Sequence, residues 1–292
     1  MKSSILRLVW LFLLPAVLLC AGCSPTRFMV NQMDPLMEKM NTAVYKNSDV
    51  AMIKDALPAL LVQMDGLIEV SPNNASLLIR AAEAYYGYSF VFVEDADKAR
   101  AGRLYDKSFR YAARALKQNK KMKAAFDGKM SEFNEGLADL DQSDVPALFW
   151  AANAWLSWVG MNVDDPEIFL ALPKIRAMLK RVIELDETYQ YGAAHASLGV
   201  LHASRAPAQG GKPEKAKAEF DRAFELSDNN MLLFHLMYAK YYAYQVQDRQ
   251  LYVDTLNQIL STPDDMFPEM AFINAAAKNK ARQMLDNVHQ VF

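Results

Sequence analysis

The sequence predicts an all-α protein built of stacked helical hairpins, and three observations predict it. Apolar residues recur at three- and four-residue steps over nearly the whole chain after Ser24, the breaks carry Pro, Asn, Asp or Gly, and alternating strand patterns are almost absent. One helical pattern also recurs: Ile175, Leu179, Val182 and Leu185 repeat as Ala216, Phe220, Ala223 and Leu226 with a constant offset of 41 residues. A single hairpin cannot bury its own apolar face, so repeated hairpins stack into one continuous core.

The first element is an address and lies outside the fold. In MKSSILRLVWLFLLPAVLLCAGC, Lys2 and Arg7 form a basic start and Leu8 to Leu19 an apolar run too short to span a bilayer; small residues Ala21 and Gly22 then precede Cys23. This is the pattern of a bacterial lipoprotein signal, with Cys20 where Leu is more usual. The organisation expected is therefore a signal peptide over 1–22, a lipidated N-terminus and linker over 23–33, and one helical domain over 34–292. Ser24, with no Asp at that place, points to the outer membrane rather than the inner, facing the periplasm.

Composition agrees with export. The only cysteines are Cys20 and Cys23, so the mature body holds no disulfide and depends on packing, for which a 52% hydrophobic content is ample. Loss of Lys2 and Arg7 takes the charge from 32 basic against 34 acidic residues to 30 against 34, a net of −4. Such a balance gives no support to nucleic-acid binding.

Helices are expected near 34–46, 50–69, 73–93, 96–117, 120–138, 146–160, 166–185, 189–204, 213–226, 231–246, 249–260 and 268–290. Several close alike, in LIEVSPNN, VIELDETY and AFELSDNN, with QILSTPDD a weaker echo. The 166–185 helix opens at DDPE, where Asp165 suits an N-cap and Pro166 the first turn; this explains Asp164, Asp165 and Glu167 better than paired catalytic acids do. Residues 213–226 carry A-x3-F-x2-A-x2-L, the pattern of the second helix of a tetratricopeptide hairpin, in which small residues allow close helix approach. The preceding HASLGVLH supplies the Leu198-Gly199 step of the first helix. Between the two, Arg205 to Gly211 form a long loop, which accounts for an offset greater than the usual period of about 34.

The chemistry is sparse. His195 and His202 share a helix face, but no carboxylate or cysteine completes a metal set, and no nucleophile elbow, phosphate loop or H-E-x-x-H is present. The distinctive segment is PALFWAANAWLSWVG at 146–160. Trp150, Trp155 and Trp158 cover an arc of about 140° on a helix, opposite a narrow stripe of Asn153, Ser157 and Gly160. A helix so apolar is central. Either Asn153 bonds a neighbouring helix, or the stripe borders a groove for a ligand or partner segment.

PALFWAANAW, DDPE, LPKIRAMLKRVIELD, YGAAHASLGVLHASRAPAQGGKPEKAKAEFDRAFELS and YAKYYAYQVQDR, in that order and spacing, resemble the TatT family, the T components associated with tripartite ATP-independent periplasmic (TRAP) transporters. The resemblance implies a lipoprotein of tetratricopeptide-like hairpins that forms homo-oligomers and works with the periplasmic solute-binding protein of the transporter. It implies no catalytic residue and no cofactor. Matching positions carried over as groove candidates are Trp150, Asn153, Tyr191, His195 and Gln209, to which the helix stripe adds Ser157. The function expected is a membrane-tethered accessory protein that binds the solute-binding protein and an organic-acid or hydrophobic solute. The alternative is a structural scaffold lipoprotein for envelope assembly that grips partner peptides.

Acylation at Cys23 sets a first test. A multiply acylated cysteine anchors far more firmly than the marginal binding of one chain, so Cys23→Ser is expected to move the protein from the membrane to the soluble fraction on ultracentrifugation; unchanged partitioning would remove the anchor.

Overall fold

The computed structural model describes residues 25–204 and 211–292. Fifteen α-helices run through them, with no strand among the described residues. In order they are α1 (Pro25–Asn31), α2 (Asp34–Tyr45), α3 (Val50–Val70), α4 (Ala75–Phe92), α5 (Lys98–Leu116), α6 (Lys120–Ala125), α7 (Met130–Ala138), α8 (Val145–Met161), α9 (Ile168–Asp186), α10 (Ala193–Ala203), α11 (Pro213–Leu226), α12 (Leu232–Met237), α13 (Arg249–Ser261), α14 (Ala271–Asp286) and α15 (Val288–Val291). The starts are set by local chemistry. Side chains of Asp49, Asn74, Asp97, Asn119 and Asp248 each accept from the backbone N–H three residues on, satisfying a donor the helix itself leaves open.

The recurring pattern performs as its spacing requires. Ile175, Leu179 and Val182 on α9, and Ala216, Phe220 and Ala223 on α11, are all fully buried, while the fourth members Leu185 and Leu226 are part-buried. Helices α10 and α11 approach so closely that a Cβ added to Gly199 would stand 2.8 Å from the Phe220 ring. Helix α8 is central: it packs against α5, α9 and α4, with Leu148, Ala151 and Ala152 sealed from solvent.

Several elements differ from the sequence reading. Helix α1 lies within the segment read as a linker. The expected helix 120–138 is two helices, α6 and α7, broken at Gly128, where the Glu132 carboxylate turns back to accept from the N–H of Lys129. Residues 189–192 form a tight turn with left-handed backbone at Gln190, Tyr191 and Gly192 (φ 50°, 60° and 83°) before α10 begins. Gly192 is required there, because a Cβ would meet Leu226 at 2.7 Å. Asp165 does cap, but its carboxylate accepts from the N–H of Glu167 at 2.8 Å, one step ahead of α9. After Met237, α12 widens into a π turn over Tyr238–Ala243.

The array does not stay open. Helix α14 returns to pack on α2 and α3, and Phe272 joins Ile53, Leu57 and Tyr85 in one apolar cluster. Charges reinforce this closure. The buried Glu94 carboxylate accepts from the Tyr105 hydroxyl at 2.7 Å and from the Lys240 ammonium at 3.0 Å, and lies 3.6 Å from Lys280, whose ammonium also pairs with Asp95. The corner after α4 is thereby strapped to the π turn and to α14.

The α10–α11 packing yields the stability prediction. Ala223→Asp places an unpaired charge in a sealed interface and is expected to cost at least about 3 kcal/mol. Gly199→Ala forces the Phe220 ring aside at about 1–3 kcal/mol. Urea denaturation followed by helical circular dichroism reads both, and wild-type midpoints would refute the assigned packing.

Candidate functional site

Closing the array encloses space. Three cavities abut along its middle, sharing walls. The first, about 300 Å³, lies among Met37, Leu57, Leu60, Met64, Tyr45 and Glu83 on α2 to α4. The second, about 90 Å³, shares Tyr45, Glu83, Gly87 and Ile273 with the first and adds Trp150, Asn153, Gln190 and Phe234. The third, about 490 Å³, shares Tyr86, Phe90, Asn153, Ser197 and Met237 with the second and adds Ser157, Gly160, Lys240 and Tyr241. Their walls are mostly apolar, with few polar groups at fixed stations, the composition of sites that hold apolar solutes.

Two glycines border this space. A Cβ built at Gly87, mid-way along α4, or at Gly160, near the end of α8, meets nothing within 4 Å. Neither glycine has a positive φ, so neither is there to permit an unusual backbone.

The polar stations are specific. Glu83 accepts from the Tyr45 hydroxyl and, at 3.2 Å, from the Asn41 amide. Burial pushes its carboxyl up from the ordinary value, against these two bonds and the Arg80 charge. Burial and the same carboxylate push the Tyr45 hydroxyl well above its usual range, so it stays a donor. At the far end, burial opposes the charge on Lys240, but neighbouring Tyr241, Glu94 and Asp95 hold its ammonium above the ordinary range. The cavities thus carry one carboxyl, Glu83, where the first two meet, and in the third a lysine that is already bonded to Glu94.

Trp150, Asn153 and Ser157 all face these cavities. Trp150 is 7% exposed and packs on Tyr86 and Phe149, and its indole N–H lies beside the Tyr189 hydroxyl. The Asn153 amide donates to the carbonyl of Phe149 at 3.0 Å and accepts from the Ser197 hydroxyl at 2.6 Å, so it bonds α8 to α10 while also forming cavity wall.

Tyr191 and His195 stand elsewhere. The Tyr191 ring meets the Phe267 ring edge-on, 5.1 Å between centres, at the left-handed turn that presents its neighbour Gln190 to the second cavity. His195 is clamped between Glu219 (2.6 Å) and Glu187 (3.1 Å), and Glu187 is gripped in turn by Arg222 at 2.8 and 2.9 Å. The Arg222 bonds hold the Glu187 carboxyl down at about 2. This is an ion-pair lattice joining α9, α10 and α11. Gln209 and Cys23 lie outside the described residues.

Sequence reasoning missed Tyr45, Glu83, Gly87 and Lys240. Two left a signal: Glu83 is an acid within the apolar stretch LLIRAAEAYYGY, and Gly87 is a helix-weakening residue in its middle.

The chain is 22% identical to an uncharacterized protein of Treponema pallidum (strain Nichols) over 311 aligned positions, covering 96% of each chain. A family model described as TAtT, TRAP transporter T-component, matches residues 46–292, which take in all three cavities apart from the α2 residues of the first and second. The chain belongs to that family of TRAP transporter T-components.

Proposed function

We propose that this TRAP accessory component is tethered to the envelope membrane through Cys23, holds a hydrophobic organic solute in its central channel, and exchanges it with the periplasmic solute-binding protein of the system. The observation that carries this reading is the run of abutting, mostly apolar cavities along the middle of the array, the first two of them walled in part by α14. No described helix is long and apolar enough to cross a membrane, so a lipid is the natural anchor on this reading. Self-association is supported by the large apolar side chains exposed on α1 to α3: Phe28, Met29, Leu36, Met52 and Val62.

Gly87→Leu tests the channel. It fills the shared wall of the first two cavities without backbone strain, and its higher helix propensity favours α4 by about 0.5–1 kcal/mol. Solvent extraction and mass spectrometry of protein purified from its own envelope should recover a small molecule from wild type and at least about tenfold less from the variant, a loss of about 1.4 kcal/mol of binding. Equal recovery would sink the channel reading.

Glu83 gives a pH test. Its carboxyl is raised above the ordinary value of 4.5, so the folded chain binds this proton more tightly than the unfolded chain. That contribution is full below the ordinary value and is lost as pH rises through the raised one. Glu83→Gln is neutral at every pH. The melting temperature of wild type should therefore fall relative to the variant as pH is raised from 4.5, and parallel curves would show that Glu83 does not titrate in this range.

A further inference from the structure

The face of α8 turned away from the channel borders a second space, an open groove of about 1060 Å³ between α5, α6 and α9. Its floor is aromatic. The Trp155 ring lies 4.8 Å from Phe109 and 6.4 Å from Phe126, centre to centre. Its rim is cationic: Arg110, Arg114, Lys117, Lys120, Lys123 and Lys174 line it against the two acids Asp127 and Glu167. This concentration stands in a chain whose formal charge is −2.

The cations are poorly neutralised. Arg110 pairs with Asp106 at 3.1 Å on an exposed face and Lys117 with Asp127, whose side chain is 82% exposed, while Arg114, Lys120, Lys123 and Lys174 make no ion pair among the described residues. They are nevertheless held in position. The Lys117 ammonium stands 4.2 Å from the centre of the Phe126 ring; that of Lys174 stands 4.9 Å from Phe133 and donates to the Phe126 carbonyl at 2.8 Å. Burial draws the Lys174 ammonium below its usual range, a cost that a bound anion would relieve. At the lip, Leu170 is 75% exposed.

Charge selects among occupants. Residues 1–24 and 205–210 of this chain carry basic side chains and no acid, so neither complements the groove. A bilayer surface would satisfy the rim with phosphates but leave a concave aromatic floor uncovered. We propose that this groove docks an acidic segment of a protein partner, one that carries aromatic or large aliphatic side chains between its carboxylates. The carboxylates meet the rim lysines and arginines, and the apolar side chains cover Phe109, Phe126 and Trp155. The site is separate from the channel and does not depend on what the channel holds.

The test uses the full chain in detergent and three fluorescein-labelled peptides, read by anisotropy. One alternates acidic residues with Phe and Leu, the second replaces every acid by Lys, and the third replaces Phe and Leu by Ser. The first should bind, weakening as salt is raised, and the other two at least about tenfold less well. Combining Arg114→Glu, Lys120→Glu and Lys123→Glu should weaken the first peptide about tenfold or more, Leu170→Ser should weaken it less, and a control combining Lys39→Glu, Lys46→Glu and Lys54→Glu should leave it unchanged. If the groove variant fails to fold, the ranking of the three peptides on wild type decides. Equal binding of the Ser peptide, an equal loss in the control, or binding to phosphatidylglycerol vesicles with none to any peptide would each overturn the proposal.

Discussion

The return of α14 onto α2 and α3 is the contact on which the rest of the structure depends. A row of helical hairpins left open has one concave face in water, and an apolar lining there would be unstable. Once Phe272 reaches the cluster around Ile53 and Tyr85, that face becomes interior, and apolar walls become the favourable choice. The strap of Glu94, Lys240 and Lys280 acts at the same seam. A buried carboxylate is tolerated because two ammonium groups and the Tyr105 hydroxyl reach it. Removing one partner would leave charge behind in a place with little water.

Helix α8 turns this closure into two separate environments. Trp150, Asn153, Ser157 and Gly160 look inward at the channel, and Trp155 looks outward at the basic groove. One seventeen-residue helix therefore serves as a partition, and its near-uniform hydrophobicity has a physical cause: it is packed from both sides. One hydrogen bond ties the partition to a neighbour without using its apolar faces, from the Ser197 hydroxyl of α10 to the Asn153 amide oxygen, while Asn162, just past the end of α8, donates back to the Trp158 carbonyl and closes the last turn.

The helices, the α9 and α11 repeat and the central place of α8 were legible in the sequence, because each rests on spacing within one segment. Asn153 was legible in both its alternatives, and both describe it: it bonds α10 and it borders the cavities. The closure was not, since Lys280 and Asp95 stand 185 positions apart and no local pattern records such a meeting. Nor was the left-handed run at Gln190 and Tyr191, which the sequence presents as ordinary helix formers; the packing of Gly192 against Leu226 imposes it. The surroundings of His195 were hidden for a related reason. Its partners Glu187 and Glu219 come from two other segments, and only the hairpin geometry brings them to both sides of one ring.

Helix α1 begins at Pro25, two residues beyond Cys23. Two extended residues span about 7 Å, so an acyl group at that cysteine would leave almost no slack. Nor can α1 swing freely, because the Asn31 side chain accepts from the Ser71 hydroxyl at 2.7 Å and from the Asn74 amide at 2.9 Å, and Val30 is buried in the main core. An anchor there would keep α1, and the core into which it packs, close against the bilayer. The protein would stand as a short rigid post, and a partner in the periplasm would have to travel to the membrane to meet it.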